Sequence, residues 1–473
     1  WCRHEARENE RRESAMPLIA PTRTLLLGRG GREHALAWKL AAEPGGNEVV
    51  VAPGRDAMAE EPRVRCLPEV DPLDPTAVVA TARAVQAELV VVGPEAPLAA
   101  GVADALIEAG IPVFGPTRAA ARIETSKAFC HEVAESVGVP MAEAEAFSEI
   151  DPALAFAKEL DGAGLGIVVK VDGLASGKGV TVCETLDEAR EAIRLAFASR
   201  PADADPAAPV LVLEERLEGR EASVIALCDG ETALALPAAR DHKRLLDANR
   251  GPNTGGMGAY SPIPDVPDPL VDWVVENIHG PVLAELARRG TPFRGALYAG
   301  LILTTGGPVL LEFNARFGDP ETQAILPRLS VALGPLLLAA ARGELGSAAR
   351  ALGLERHRLP ATADAALAIV LAAAGYPGEV RRNDRIEGID AARKAGCLVF
   401  HAGTRRGADG HVTDGGRVLA VVGRGSDLTA ARARAERGAD LVRFEGAQRR
   451  HDLGATFFIP PSEALAAEAR LVR

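Results

Sequence analysis

The sequence predicts an α/β and α+β multidomain chain with an N-terminal parallel-sheet domain, a middle domain carrying a glycine-rich flap, and a small C-terminal α+β domain. Three observations carry this. Early in the chain, "RTLLLG", "EVVVAPG", "ELVVVGPE" and "IPVFGPT" are β-rich runs ending in Gly or Pro, separated by alanine-rich helical stretches; that is the pattern of a doubly wound parallel sheet. Further on, "VVKVDGLASGKGVTV" (168–182) sets a glycine-rich loop between two β-branched runs. Toward the C-terminus, "ALAIVLAAAGYPG", "CLVFHAGT" and "GGRVLAVVGRG" read as short strands ahead of a helix from Asp427. The expected divisions are a disordered extension over 1–15, an N-terminal domain over 16–117, a middle domain over 118–330 with the flap at about 130–210, and linker helices plus C-terminal domain over 331–473.

Composition limits the function. A chain of 473 residues has material for two to four domains. A net charge of −12 argues against general nucleic-acid binding, and no apolar run is long enough to span a membrane. The six cysteines lie far apart, without metal-ligand or disulfide spacing, so reduced thiols in a cytoplasm are expected. "WCRHEARENERRESAM" is polar and has no signal-peptide core, which makes Met16 the expected start. Only seven of the 53 basic residues are lysines, and four of them (Lys127, Lys170, Lys178 and Lys243) fall in the motif-rich segments. A compact ammonium is thereby retained where chemistry is expected.

In the N-terminal sheet, ligands are expected at the strand ends, at Gly28 to Glu33 and at Gly93, Pro94 and Glu95. "GRGGREHALAWKLA" passes from strand to helix through glycines, which leaves helix N–H groups for an anion. Glu33 stands where a dinucleotide fingerprint needs its third glycine, which points away from a nicotinamide cofactor.

The flap is not a Walker A loop, since three residues separate Gly173 from Gly177 and Gly179 follows Lys178. Its backbone N–H groups, with Lys170 and Lys178, suit a loop closing over phosphates, although the stretch alone also fits a hairpin with a flexible tip. After the strand "VLVLEE", Glu214 and the backbone of Leu217 offer acceptor and donor to an adenine edge, and Glu221 suits ribose hydroxyls, although taken alone the acidic run more often forms a solvated turn. "DHKR" (Asp241, His242, Lys243) and "NTGGM" (Asn253, Thr254, Gly255, Gly256, Met257) combine donors with flexible backbone, as in a nest for an anionic or sugar-bearing substrate. In "LLEFNARFGDPETQ", Glu312 and Asn314 are two apart on a strand, so they share a face and suit one hard cation. Arg316 can stabilise a transferring phosphoryl group, and Asp319 can orient an amine.

Taken together, "GGREHALAWK", "VVGPEAPL", "FGPT", "SKAF", "KVDGLASGKGV", "DHKR", "GPNTGGMGAYSP", "LYAGL", "EFNARFGDPETQ" and "FHAGT" occur in an order that resembles the glycinamide ribonucleotide synthetases, the phosphoribosylamine–glycine ligases, across residues 23 to about 444. The resemblance implies an ATP-grasp middle domain of two subdomains. It implies ATP, glycine and 5-phosphoribosylamine as substrates, Mg2+ or Mn2+ as the cation, and a cytoplasmic monomer without nucleic-acid or membrane partners. Lys127 and Lys170 would touch the ATP phosphates, with Gly177, Lys178 and Gly179 on the flap. Glu214, Glu215, Leu217 and Glu221 would hold adenosine, and Glu312 and Asn314 the metal. Gly30, Gly31, Arg32, Glu33, Gly93, Pro94, Glu95, Asp241, His242, Lys243 and the 253–257 tract would face the phosphoribosylamine, with Arg316, Lys170 and Asp319 catalytic. Arg29 is bulkier than the family's usual residue in its loop, and Val171 replaces a common alanine. Another ATP-grasp ligase or carboxylase with a different acid and amine is the nearest alternative. A silent ATP-binding regulator is a further one, against which the retained Glu312, Asn314, Lys170 and Lys178 speak.

Overall fold

The computed structural model describes residues 18–174, 179–200, 205–354 and 357–455; the extension over 1–15, the start at Met16, and flap residues Gly177 and Lys178 lie outside the described residues. Strands β1 (Arg23–Gly28), β2 (Glu48–Pro53), β3 (Val64–Cys66), β4 (Leu89–Val92) and β5 (Val113–Phe114) form a parallel sheet in the order β3-β2-β1-β4-β5. All of β4 and all but the first residue of β1 are buried, as a sheet covered on both faces requires. The strand order reverses between β1 and β4, so the loops after them open into one crevice. Helix α1 (Gly31–Ala41) begins two residues past β1 and buries His34, Leu36 and Leu40 completely.

The stretch "RAAARIETSKAFCHEVAESVG", helical in residue type along its length, folds as two helices, α2 (Arg118–Thr125) and α3 (Lys127–Ser136). The break falls at Ser126, whose extended backbone (φ −137°) leaves its hydroxyl accepting from the Phe129 N–H at 3.1 Å. Lys127 therefore opens a helix.

The flap subdomain is the antiparallel sheet β6-β9-β7-β8, from β6 (Ala144–Phe147), β7 (Ile167–Val171), β8 (Val180–Cys183) and β9 (Leu211–Glu215). Helices α4 (Ile150–Gly162) and α5 (Leu186–Ala198) pack on it through Ala153, Ala157 and Ile193. The expected strand–loop–strand is present: β7 and β8 pair from Ile167 opposite Cys183 to Lys170 opposite Val180.

Next come β10 (Arg220–Asp229) and β11 (Ala233–Ala235), followed by the glycine-rich tract. That tract, flexible in residue type, is paired. β12 (Arg240–Asp241) joins β15 (Gly258–Ser261), with a hairpin of β13 (Arg244–Leu246) and β14 (Arg250–Asn253) between them. Alternation is hidden in this tract by glycines that carry no hydrophobic signal. Strands β16 (Arg294–Thr304) and β17 (Gly307–Asn314) complete a sheet ordered β11-β10-β16-β17, and the short helix α6 (Glu321–Ile325) follows.

The C-terminal part supplies β18 (Ala365–Ala372), β19 (Leu398–His401), the hairpin β20 (Thr404–Gly407) to β21 (Gly410–Thr413), and β22 (Arg417–Gly425). Helix α7 (Leu428–Leu441) is capped by Asp427, which accepts from the Ala430 N–H at 2.8 Å. Its sheet runs β12-β15-β18-β22-β19, so two strands of the glycine-rich tract are built into it. Cys66, Cys130, Cys183, Cys228 and Cys397 are unpaired thiols. Among the described residues no helix is long and apolar enough to cross a membrane.

Candidate active site

The loops after β1 and β4 are packed around one side chain. Glu33, on the first turn of α1, is 2% exposed; its carboxylate accepts from the Gly30 N–H at 2.6 Å and from Arg32 Nε at 2.6 Å. A Cβ at Gly28 would lie 2.6 Å from Glu33 Cγ, one at Gly30 would lie 2.8 Å from Glu33 Oε2, and one at Gly93 would also strike this carboxylate. The glycines are needed because Glu33 folds back into its own loop. Of the 30–33 segment, then, Gly30 and Gly31 border the crevice as backbone, while the Glu33 carboxylate is committed inward. Arg32 also donates to the Phe317 carbonyl at 2.9 Å, which ties this loop to the "EFNARFGD" segment.

Arg316 lies across the same crevice. Its Nε is 3.3 Å from Glu95 Oε2 and 3.2 Å from Glu124 Oε1, and its Nη2 donates to Asn314 Oδ1 at 3.1 Å. Burial alone would raise the Glu95 carboxyl, but Arg316 and Arg32 hold it below the usual value. Glu124, more enclosed, is raised by burial against the pull of Arg316.

The strand ends of the middle domain bring the lysines together. Lys170 Nζ, on β7, is 2.6 Å from Glu214 Oε1 and donates to the Leu311 carbonyl at 2.9 Å, joining the flap sheet to β17. His131 Nε2, on α3, lies 2.7 Å from the same Glu214 oxygen. Asp172, just past β7, accepts from the backbone N–H groups of Lys127 and Ala128 at 2.5 and 3.2 Å, and Lys127 Nζ donates to the Gly173 carbonyl at 2.9 Å. Gly179 precedes β8 and accepts from the Val171 N–H at 2.7 Å. Glu215 ends β9, where its carboxylate accepts from the Glu143 N–H at 3.2 Å, and Leu217 sits half-buried in the link to β10.

Lys243 Nζ pairs with Glu221 Oε2 at 2.9 Å. Burial would raise the Glu312 carboxyl, yet Lys243, Lys170, Lys127 and Arg316 together hold it below the ordinary carboxylate value. Glu312 and Asn314 are thus oxygen donors side by side at the end of β17, one kept ionised by four surrounding cations. Among the described residues no three or more His, Cys, Asp or Glu side chains gather for a metal. The donor set fits a hard cation that completes its shell with phosphate oxygens and water.

Strand pairing brings "DHKR" against "NTGGM". The Thr254 N–H and hydroxyl both donate to the Lys243 carbonyl at 2.7 Å, and the Met257 N–H donates to the His242 carbonyl at 2.8 Å. Asn253 pairs with Arg244 across the hairpin. Burial, with Glu321, Glu221 and Glu312 nearby and Lys243 opposing, pushes the Asp241 carboxyl up to about 7. His242 is driven down to about 4 by burial, helped by Arg450 and Arg240, and its Nδ1 is buried without a hydrogen-bond partner.

Two residues absent from the expected set close this end. Arg417, the first residue of β22, donates to the carbonyls of Gly255 and Asp319 at 2.5 and 2.7 Å and to Asp319 Oδ2 at 2.8 Å. Tyr376 Oη accepts from the Gly255 N–H at 3.0 Å. Gln323 Nε2 holds the other Asp319 oxygen at 2.8 Å. Against its burial, Asp319 is held below the ordinary range by Arg417, then Arg32. In sequence, "GGR" ahead of a strand is the sole trace of Arg417, and nothing in it points to Asp319.

This geometry has relatives. Residues 22–124, 125–322 and 366–456 match, in turn, the N domain, the ATP-grasp (A) domain and the C domain of phosphoribosylglycinamide synthetase. A phosphoribosylamine–glycine ligase of Streptomyces coelicolor is 48% identical over 439 residues, covering 92% of this chain and 99% of that protein. The chain belongs to the phosphoribosylglycinamide synthetase family. A second member, from Vibrio cholerae, is 44% identical over 91% of this chain and 97% of its own length. The crystal structure of the Thermotoga maritima phosphoribosylamine–glycine ligase superposes with a TM-score of 0.74 at 31% identity, covering 91% of this chain and 99% of that one. The biotin carboxylase domain of a Hydrogenobacter thermophilus 2-oxoglutarate carboxylase shares the fold, with a TM-score of 0.64 at 17% identity over 91% and 92% of the two chains. As a synthetase of the ATP-grasp type, the chain is an ATP-dependent ligase forming a C–N bond, in a family that uses ATP with a divalent cation.

Proposed function

We propose that the chain joins glycine to 5-phosphoribosylamine, with ATP cleaved to ADP and phosphate, through a glycyl phosphate intermediate, giving glycinamide ribonucleotide for purine biosynthesis. The observation carrying this is the meeting of two half-sites. Lys127 opens α3, Lys170, Glu312 and Asn314 lie near the ends of β7 and β17, and Arg316 links this group through Asn314 and Glu95 to the crevice of the N-terminal sheet. The division near residues 117 and 330 belongs to this reading, as does a monomer in the cytoplasm, the latter supported by the five unpaired thiols.

In this reading a glycine carboxylate oxygen attacks the γ-phosphorus, the bond to the bridging oxygen breaks, and ADP leaves. Lys127 and Lys170 offset charge on the phosphate oxygens, and Arg316 faces the phosphoryl group in transfer. The cation, Mg2+ or Mn2+, held by Glu312 and Asn314, supplies charge neutralisation at the phosphates. Glu214 to Leu217 and Glu221 border the adenosine. The amine of phosphoribosylamine then attacks the acyl carbon, phosphate departs, and Asp319 orients that amine by accepting its hydrogen. Gly30, Gly31, Glu95 and the 253–257 nest, fixed from behind by Arg417, hold the sugar phosphate. Glycyl phosphate is lost in open water, so the β7–β8 hairpin serves to cover the triphosphate during turnover.

The test is phosphate release from ATP with the cation, omitting glycine and phosphoribosylamine in turn. Release that needs both, with a product of the mass of phosphoribosyl-glycinamide, is expected. Release indifferent to either would overturn the substrate assignment.

A further inference from the structure

Two donors converge on one oxygen of a buried carboxylate at the edge of the nucleotide site. Glu214 is 3% exposed, and its Oε1 lies 2.6 Å from Lys170 Nζ and 2.7 Å from His131 Nε2. The Lys170 ammonium has three donors, of which Glu214 and the Leu311 carbonyl occupy two. A phosphate gripped by Lys170, as the proposed function holds, would compete with Glu214 for the same ammonium and draw it away from that carboxylate. A buried carboxylate stripped of its cation is costly, and that cost would be subtracted from ATP affinity.

His131 sits one turn beyond Lys127 on α3, so the two side chains leave the same face of the helix. Helix α3 does not need the contact to fold. Its first turn is capped by Ser126 and Asp172, and its apolar face is buried through Phe129, Cys130, Val133 and Ala134. Burial would raise the Glu214 carboxyl, but Lys170 first and His131 second hold it down.

We infer that His131 is a positioning residue for nucleotide binding, keeping a donor on Glu214 Oε1 while Lys170 turns from that oxygen to the phosphates of ATP. It does not touch the nucleotide. It lowers the cost of freeing the lysine that does. This inference rests on the reading that Lys170 contacts ATP.

The experiment is calorimetric titration of the full-length chain with ADP and magnesium chloride, together with the KM for ATP, for the wild type and for Lys170→Ala, His131→Ala, His131→Gln, Glu214→Gln and the double variant His131→Ala/Glu214→Gln. A charge-assisted hydrogen bond lost beside a buried group should weaken ADP binding and raise the KM for ATP by about 10-fold or more in His131→Ala. The kcat and the KM for glycine should stay near wild type. His131→Gln, which keeps a donor, should recover most of the loss, and it serves alone if the alanine variant does not fold. In the Glu214→Gln background, with the charge gone, removing His131 should change ADP affinity by less than about twofold.

ADP affinity in His131→Ala equal to wild type, a loss in His131→Gln as large as about 10-fold, or an undiminished loss in the Glu214→Gln background, would overturn the inference. Unchanged ADP affinity in Lys170→Ala would instead overturn the reading beneath it, so the two failures are distinguishable.

Discussion

Arg417→Met removes a guanidinium that reaches from the C-terminal sheet into the proposed amine site while keeping its apolar bulk. Three hydrogen bonds go with it, two to the carbonyls of Gly255 and Asp319 and one to the Asp319 carboxylate. The pair is mostly enclosed, with side-chain exposures of 22% for Arg417 and 15% for Asp319. A neutral hydrogen bond contributes about 0.5–1.5 kcal/mol and one to a charged group about 1.5–3 kcal/mol. Shared partners and partial exposure reduce the sum to about 2–4 kcal/mol. Asp319 keeps the Gln323 amide, so it moves without being left bare. The prediction is a fall in kcat/KM for phosphoribosylamine of about 30-fold or more, with the KM for ATP within about twofold of wild type. Arg417→Lys should fall between, because a single ammonium cannot reproduce the fork. The assay is steady-state phosphate release with each substrate varied, beside a thermal melt of each variant. A kcat/KM for the amine within about threefold of wild type, in a variant that melts normally, would rule out a part for Arg417 in fixing the amine site.

Glu312→Gln, which removes the carboxylate held ionised among four cations, should raise the metal concentration for half-maximal rate by about tenfold or more; an unchanged metal titration would count against the ligand assignment. Asp241→Asn should change the pH dependence of stability. With the Asp241 carboxyl raised from 3.8 to about 7, its protonated form favours the folded chain below pH 3.8, and that contribution is lost as pH rises to 7. The variant should therefore gain stability over wild type in denaturant titrations above pH 7 and gain none near pH 4. Gly423→Ala should destabilise by about 1–3 kcal/mol or more, since a Cβ there would strike the Ala431 carbonyl and the Ala435 nitrogen of α7; denaturant unfolding with an unchanged midpoint would contradict that packing.

Much of the architecture was legible because it is written in local patterns. The β-branched runs on either side of the flap announce β7 and β8, and the Gly- or Pro-terminated runs announce the parallel sheet. The break at Ser126 was not legible. A helical pattern continues through "ETSKAF", and the group that completes the second helix's cap, Asp172, comes from a distant strand end. The pairing of "DHKR" with "NTGGM" was hidden by glycines, whose lack of a side chain erases alternation. Its place in the glycine motif marked Glu33 as unusual, but spacing cannot tell that its carboxylate turns back into its own loop. Arg417 and Tyr376 meet the 253–257 nest through tertiary contacts alone, and one sequence without such contacts gives no reason to join them.

The strands β12 and β15 have a consequence for how the protein is made. Gly258 to Ser261 find their partners in residues 366 to 369, roughly a hundred residues later on the ribosome. At about 5–20 residues per second, the glycine-rich tract must wait roughly 5–20 s after emerging before its sheet can form. During that interval the edge of β15 that faces away from β12 is unpaired, and the Tyr376 and Arg417 contacts that fix the nest wait for the C-terminal strands. Synthesis thus completes the proposed substrate site last, after the N-terminal crevice and the flap sheet have emerged.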